Sequence, residues 1–129
     1  MSAPADIPER DLEDLKVKLH AEVDRLAPEI IALSSFIHAH PETGFNEFQS
    51  HDRLTRFAAD HGFTVLPHAC GLETAFLAEA GTPGAPTAAL CCEYDALPVL
   101  GHGCGHNIIG AAGMGAATLD LKRRRMDVT

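Results

Sequence analysis

The chain has 129 residues, enough for one domain with its own core but too few for two domains of usual size. Its 18 acidic and 10 basic residues give a net charge of −8, which would repel phosphate backbones and argues against a nucleic-acid partner. The first ten residues lack the apolar stretch of a signal peptide, and no later segment approaches the roughly 20 apolar residues of a membrane span, so we expect a cytoplasmic protein with no membrane partner.

The first predicted element is a long helix. Asp6 and Pro8 are typical start signals, and apolar residues then recur every three or four positions as far as Ile37. Pro28 should kink or split this helix. The apolar stripe consists of Leu12, Leu15, Leu19, Val23, Leu26, Ile30, Leu33 and Ile37.

A second helix is predicted to begin at Asn46, because Gln49 three residues later completes a capping-box pattern. It should end near His61, with Gly62 as the stop signal. We expect its inward face to carry Phe48, Leu54, Phe57 and Ala58.

Short strands are predicted next, over residues 63–66 and 73–80. After a turn at 81–86, residues 87–94 form a continuous apolar run, typical of a strand that helices cover on both faces. Within it Cys91 and Cys92 should face opposite sides as buried small hydrophobes.

The last predicted helix begins near Asn107 and contains three glycines, which weaken a helix but allow close approach to the sheet. This order of elements predicts an α/β domain with its site at the carboxyl end of the third strand. The glycines are Gly110, Gly113 and Gly115.

Metal chemistry is indicated between the third strand and the last helix. Cys104 and His106 lie two residues apart in a glycine-containing turn, so both side chains can reach one ion. A thiolate and an imidazole suit zinc or another borderline divalent ion. On spacing alone, two ligands do not make a site, and an inert small hydrophobic cysteine is the more frequent interpretation.

Three motifs in order then resemble a known family: His38–Glu47 (HAHPETGFNE), Tyr94–Pro98 (YDALP) and Gly101–Asn107 (GHGCGHN). Together they are similar to the zinc-dependent aminoacylase/carboxypeptidase amidohydrolases. The nearest branch contains hippurate hydrolase, the auxin-conjugate amidohydrolases and p-aminobenzoyl-glutamate hydrolase. The resemblance covers the chain from about Leu15 onward.

The resemblance implies roles for the site residues. It makes Cys104 and His106 metal ligands, with Cys104 in the position where sister branches use a bridging carboxylate. Asp95 would support the ligands without binding the metal. Glu93 falls where sister branches carry a ligating histidine, and we expect it only to line the site.

Two further residues adjoin these ligands. His102 is expected either to support a ligand or to face the substrate. Asn107 departs from the aspartate that is commonest after the Cys-Gly-His triplet. This departure affects the expected substrate and not the ligands.

The implied cofactor is a divalent metal, zinc first, with manganese and cobalt as alternatives. The implied reaction is hydrolysis of the amide bond in an N-acyl amino acid or a dipeptide, with a glutamate handling the protons. Such enzymes are expected to be homodimers.

The family resemblance also implies residues that this chain does not contain. A general base, further ligands and a lid domain would follow Thr129. Residues 1–129 are therefore expected to be the N-terminal portion of one incomplete catalytic domain. The expected fold is α/β and zinc-peptidase-like, with helices packed on a mixed sheet. Alone, the chain is expected to be inactive and prone to self-association. The alternative is a non-catalytic remnant or regulatory fragment with at most a weak metal site.

The remaining histidines receive no site role. His38 and His40 are expected to be structural, because the resemblance gives them no ligand function. His51, His61 and His68 are predicted to lie on polar faces or in turns.

Overall fold

The computed structural model describes the backbone of residues 9–126 and the side chains of residues 11–123. In this part of the chain helices combine with a small antiparallel sheet, which confirms the predicted mixed α/β class. In chain order the elements are α1 (Glu9–Ala39), α2 (Phe48–Asp60), β1 (Thr64–Pro67), β2 (Phe76–Glu79) and α3 (His106–Met126). None of the helices within residues 9–126 has the length and apolar character needed to cross a bilayer.

Helix α1 runs through Pro28 as one helix, so Pro28 does not split it, and the alternative of a kink stays a prediction. A proline inside a helix costs about 3 kcal/mol, and burial of the apolar stripe on both sides of Pro28 offsets that loss. Leu26 is 0% exposed and Leu33 is 3% exposed, where α1 packs along α3 and against α2. Farther toward the N-terminus Leu12 is exposed, and the start signals at Asp6 and Pro8 lie outside the described residues.

The start of α2 differs from the predicted capping box. The backbone N–H groups of Gln49 and Ser50 each donate to one carboxylate oxygen of Glu42, both at 2.9 Å. The Asn46 side chain instead donates to the Gly44 carbonyl at 3.3 Å. A negatively charged cap that accepts two bonds satisfies more of the free helix donors than one amide oxygen, and it complements the helix dipole.

The inward face of α2 is largely as predicted. Leu54 and Ala58 are fully buried and Phe57 is 9% exposed, whereas Phe48 is 49% exposed and the prediction for it is wrong. As the first residue of the helix, Phe48 lies beyond the surface that α1 and α3 cover. Gly62, with φ +90°, follows the helix as the predicted stop.

The sheet pairs β1 with β2 from Thr64↔Glu79 to Pro67↔Phe76. Residues 87–94 form no strand, contrary to the prediction. A strand needs a neighbour for its backbone donors and acceptors, and none of the described strands lies beside this segment.

Instead, part of the segment lies against α3. An added Cβ at Gly110 would lie 3.2 Å from the Glu93 carbonyl oxygen, and one at Gly113 would overlap the Cys92 sulfur. These glycines do allow a close approach, but to an irregular segment and not to a sheet as predicted. Cys91 is exposed rather than buried, because none of the described elements covers its side of the segment. Burial raises the pKa of the partly buried Cys92 thiol.

Candidate metal centre

The centre of the candidate site is His106, the first residue of α3, which lies between two carboxylates. Its Nδ1 is 2.7 Å from Asp95 Oδ1 and 3.1 Å from the Asp95 carbonyl oxygen. Its Nε2 is 3.3 Å from Glu93 Oε2. Both Asp95 atoms can only accept, so Nδ1–H is the donor and a neutral ring keeps its lone pair on Nε2.

This geometry fits a metal ligand. Histidines that bind metals usually donate the other ring N–H to a carboxylate or carbonyl, which fixes the tautomer. With bonds of roughly 2.0–2.1 Å, two donors on one tetrahedral zinc ion lie about 3.3 Å apart, which is the separation of His106 Nε2 and Glu93 Oε2. Glu93 Oε2 and His106 Nε2 are therefore suitably placed to be two of the ligands of one metal ion.

Cys104 lies in the turn just before α3. The Gly105 N–H donates to the His102 carbonyl at 3.0 Å and Gly105 adopts φ +86°, so the chain turns sharply between the cysteine and His106. The Cys104 side chain is exposed. Among the described residues no group of three or more His, Cys, Asp or Glu side chains is placed to hold a metal ion.

Backbone contacts bring the three motifs together. The Ala96 N–H donates to the Glu42 carbonyl at 2.7 Å, and Thr43 and Ala96 form a parallel bridge. Leu97 and Gly101 exchange two hydrogen bonds of 2.9 and 3.0 Å across a tight turn. The first motif is thereby fixed beside the second, and the second beside the loop that carries Cys104.

Tyr94 fixes the orientation of the acidic segment. Its hydroxyl donates to the Thr74 carbonyl, and the Thr74 hydroxyl donates to Glu47 Oε2 at 2.6 Å. Thr74 and Glu47 are 5% and 9% exposed. In an extended segment, alternate side chains point the same way, so anchoring Tyr94 on one side directs Glu93 and Asp95 toward His106.

A cavity of about 170 Å³ lies beside this segment, with apolar walls and carboxylates along part of its lining. Its lining residues are Phe45, Glu47, Leu72, Thr74, Ala75, Glu93, Tyr94 and Asp95. Sequence patterns do not place Glu47, Thr74 or the cavity at the site, because their contacts join parts of the chain that are far apart in sequence.

Two predicted site residues lie deeper in the structure. His102 is 8% exposed. Its ring nitrogens make no hydrogen bond of ordinary geometry in the described part of the chain, although the Ile37 backbone lies close to one of them. Burial lowers the pKa of His102, and its ring lies 6.1 Å from that of His38. Asn107 is also buried and donates to Ser34 Oγ at 3.0 Å, so its side chain joins α3 to α1.

The histidines expected to lack a site role differ in their surroundings. His40 Nδ1 donates to the Phe36 carbonyl at 2.8 Å and its ring stacks on Phe36, which is a structural arrangement. His51, predicted on a polar face, is 6% exposed, and that prediction is wrong. The rings of His68 and Phe76 lie against His51, and both come from a part of the chain that the α2 pattern does not include.

Tyr94 allows a direct test of this network, because it is the only tyrosine and the chain has no tryptophan. Burial, the Glu47 carboxylate and Cys92 raise the pKa of Tyr94 to about 12. A free tyrosine titrates near pH 10, so we expect phenolate absorbance to rise about two pH units later in the folded chain than in denaturant. Between pH 10 and about pH 12 the unfolded chain loses the Tyr94 proton, whereas the folded chain keeps it. The stabilisation that the protonated Tyr94 contributes is therefore lost as the pH rises through this range.

Glu47→Gln should lower the pKa of Tyr94 in the folded chain, because it removes the negative charge beside the phenol. A tyrosine that titrates near pH 10 in the folded chain would contradict the network.

Comparisons with known proteins give three related hydrolases, while no family model matches the chain. It is 43% identical over 117 residues to Xaa-Arg dipeptidase of Mus musculus and 39% identical over 120 residues to Xaa-Arg dipeptidase of Homo sapiens. Each of these matches covers 83% of this chain and 27% of the relative. It is 40% identical over 95 residues to one of the subunits of p-aminobenzoyl-glutamate hydrolase from Escherichia coli K12, covering 60% of this chain and 20% of that protein. The chain thus spans about a quarter of the length of the curated dipeptidases it matches.

Proposed function

We propose that this chain, a homologue of amidohydrolases and dipeptidases as its motifs predicted, forms part of a metal-dependent hydrolase that cleaves the amide bond of an N-acyl or aminoacyl amino acid. The observation that carries the proposal is the His106 ring, with Nδ1 held by Asp95 and Nε2 directed at Glu93. That arrangement prepares one imidazole nitrogen to bind a metal ion.

The residues that would hold the metal are Cys104 and His106, with zinc the first choice and manganese and cobalt as alternatives. When bound, the ion would polarise the scissile carbonyl and lower the pKa of water. Glu93 could contribute a carboxylate oxygen, because it already faces His106 Nε2 at ligand spacing. The chain spans about a quarter of the dipeptidases it matches, and we assign no further ligand and no general base to its residues.

The chain's own residues would act on orientation and binding. Asp95 keeps the Nδ1–H tautomer of His106, so that Nε2 remains available. The cavity beside Tyr94 offers Phe45 and Leu72 as apolar walls for the acyl or side-chain part of a substrate.

The substrate class follows from the bond type. The names of the relatives specify an Xaa-Arg dipeptide and p-aminobenzoyl-glutamate, which indicates an amide joining an acyl or aminoacyl group to an amino acid. The cytoplasmic location and the homodimeric state remain predictions.

The proposal is tested by assaying the natural protein on an Xaa-Arg dipeptide, p-aminobenzoyl-glutamate, hippurate and a β-alanyl dipeptide. We expect hydrolysis of at least one, loss of activity with a chelator, and recovery on addition of zinc, manganese or cobalt. The same assay after mock dialysis controls for inactivation by handling. Activity that resists complete metal removal would contradict the metal-dependent mechanism, and no hydrolysis of any metal-loaded sample would favour the non-catalytic alternative.

A further inference from the structure

The Glu47 carboxylate is buried without a cationic partner. It is 9% exposed, and its Oε2 accepts the Thr74 hydroxyl at 2.6 Å. Its other oxygen, Oε1, has no hydrogen-bond partner among the described residues. No lysine, arginine or histidine in that part of the chain forms an ion pair with it. A glutamate buried to this extent is almost always paired.

The start of α2 does not compensate Glu47 either. Glu47 immediately precedes this helix, where free backbone N–H groups favour a carboxylate. The N–H groups of Gln49 and Ser50 already donate to Glu42, and the Glu47 side chain makes no cap hydrogen bond. Its Oε1 is therefore left for a donor that the described residues do not supply.

There is space for such a donor beside Glu47. Glu47 lines the cavity of about 170 Å³ together with Glu93 and Asp95. A Cβ added at Gly44 would lie 3.8 Å from Asp95 Oδ2 and 3.9 Å from Glu47 Oε1. Apart from the residues adjoining Gly44, no other atom of the described chain comes within 4 Å of that position. The two carboxylate oxygens thus face a common open space.

The chemistry of this cavity suits an organic cation. Carboxylate oxygens form their strongest hydrogen bonds with charged N–H donors. A metal ion is not indicated, because no three His, Cys, Asp or Glu side chains of the described residues are grouped to hold one. The cavity, at about 170 Å³, is smaller than the roughly 300–1,000 Å³ of sites for drug-sized ligands. It therefore suits one end of a dipeptide and not the whole molecule.

The position of the cavity favours the amino end. Glu93 and Asp95 line it and also contact His106, at 3.3 and 2.7 Å. In an α-aminoacyl substrate a single carbon atom separates the free ammonium group from the scissile carbonyl. A basic side chain on the other residue is separated from that bond by several more atoms. A cation in this cavity, beside the candidate metal centre, is thus best supplied by the amino terminus.

We propose that the cavity binds the free ammonium group of the substrate's amino-terminal residue, with Glu47 Oε1 as the acceptor. This inference rests on the function proposed above and selects one of its two substrate classes. Aminoacyl amino acids are favoured over N-acyl amino acids, because acylation removes the positive charge that Glu47 pairs with. Glu47 is thus a specificity-determining residue, and Phe45 and Leu72 would contact the side chain of the amino-terminal residue.

The test compares three substrates on the natural protein. Alanyl-arginine carries both cations, N-acetyl-alanyl-arginine only the side-chain cation, and alanyl-norleucine only the amino-terminal cation. Glu47→Gln removes the charge but keeps an oxygen that can accept from Thr74. Gly44→Ala leaves the charge and places a methyl group in contact with both carboxylate oxygens. Glu79→Gln, at an exposed position on β2, is the matched control for the loss of one negative charge.

We expect Glu47→Gln to lower kcat/KM for alanyl-arginine and alanyl-norleucine by roughly tenfold or more, because a hydrogen bond between charged groups is lost. The loss should lie mainly in KM, and N-acetyl-alanyl-arginine should be turned over as by the parent. Gly44→Ala should act in the same direction, and Glu79→Gln should match the parent. Because Gly44→Ala keeps Glu47 and its contact with Thr74, it tests the site even if Glu47→Gln disturbs folding.

Calorimetry with alaninamide and N-acetyl-alaninamide separates this inference from the proposed function, since binding requires no hydrolysis. The parent should bind alaninamide more tightly than its acetylated form, and Glu47→Gln should weaken alaninamide binding by roughly tenfold or more. That result would support the ammonium site even if none of the three substrates were hydrolysed.

Three results would overturn the inference. A loss confined to the two arginine substrates would show that the cavity binds the basic side chain. An equal loss on all three substrates would show that Glu47 acts only on the structure. Alaninamide that binds the parent no better than it binds Glu47→Gln would show that Glu47 does not pair with the amine.

Discussion

Replacing Cys104 by alanine in the natural protein is expected to remove the metal and the hydrolytic activity together. Changing a residue that only orients a metal ligand usually costs about 10- to 100-fold in activity. Loss of a direct ligand should cost at least as much as the upper end of that range, so we expect a loss of roughly a hundredfold or more. Metal analysis after gel filtration and an assay on the best substrate of the series above would measure both effects.

Cys91→Ala is the matched control for this experiment. Cys91 is also a free, exposed cysteine, but it lies in the segment before the acidic residues and has no predicted ligand role. It should keep metal and activity near those of the parent. A Cys104→Ala protein with full activity and full metal content would show that the ligand assignment is wrong.

The 129-residue chain by itself is expected to hydrolyse none of these substrates and to self-associate. Loss of a general base usually costs on the order of a hundredfold or more, and in this case the expected remaining ligands are missing as well. Several large apolar side chains are exposed near the candidate site, which favours association. They include Leu90 (54%), Val99 (110%), Leu100 (69%) and Ile108 (62%).

Sedimentation and the substrate assay on the same sample would check this prediction. Leu90→Lys should shift the chain toward monomer, because Leu90 lies in the apolar segment that has no strand partner among the described residues. Val17→Lys, at an exposed position on α1, is the matched control and should have a smaller effect. A compact monomer that turns over substrate would mean that residues 1–129 suffice for catalysis.

The elements that the sequence predicted well depend on local signals. The end of α2 just before Gly62 follows from one glycine with φ +90°, and the start of α3 at His106 lies one residue from the predicted position. The strand predicted over residues 87–94 failed, because strand formation requires a neighbour as well as a suitable composition. The Glu42 cap on α2 was missed for a related reason, since it lies seven and eight residues from its donors.

The candidate site shows the same limit. The motif resemblance predicted that Asp95 supports a metal ligand, and the structure brings Asp95 to His106 Nδ1, although the metal role itself stays a prediction. The chain of contacts from Glu47 through Thr74 to Tyr94 had no sequence signal, because each link joins residues 20 or more positions apart. Burial of His51 was missed because its neighbours come from outside α2.

The glycines of α3 have a consequence for how the site assembles. Gly113 lies against Cys92, and an added Cβ at Gly115 would overlap the end of the Ile30 side chain. Replacing a helical glycine by alanine usually stabilises a helix by about 1 kcal/mol, but here the Cys92 and Ile30 side chains would have to move to make room for the new methyl group. The glycines lower the intrinsic stability of the helix that begins with His106, so we expect a synthetic peptide of α3 to be largely unfolded. The His106 geometry therefore depends on the packing of α3 against the rest of the chain and not on the sequence motif alone.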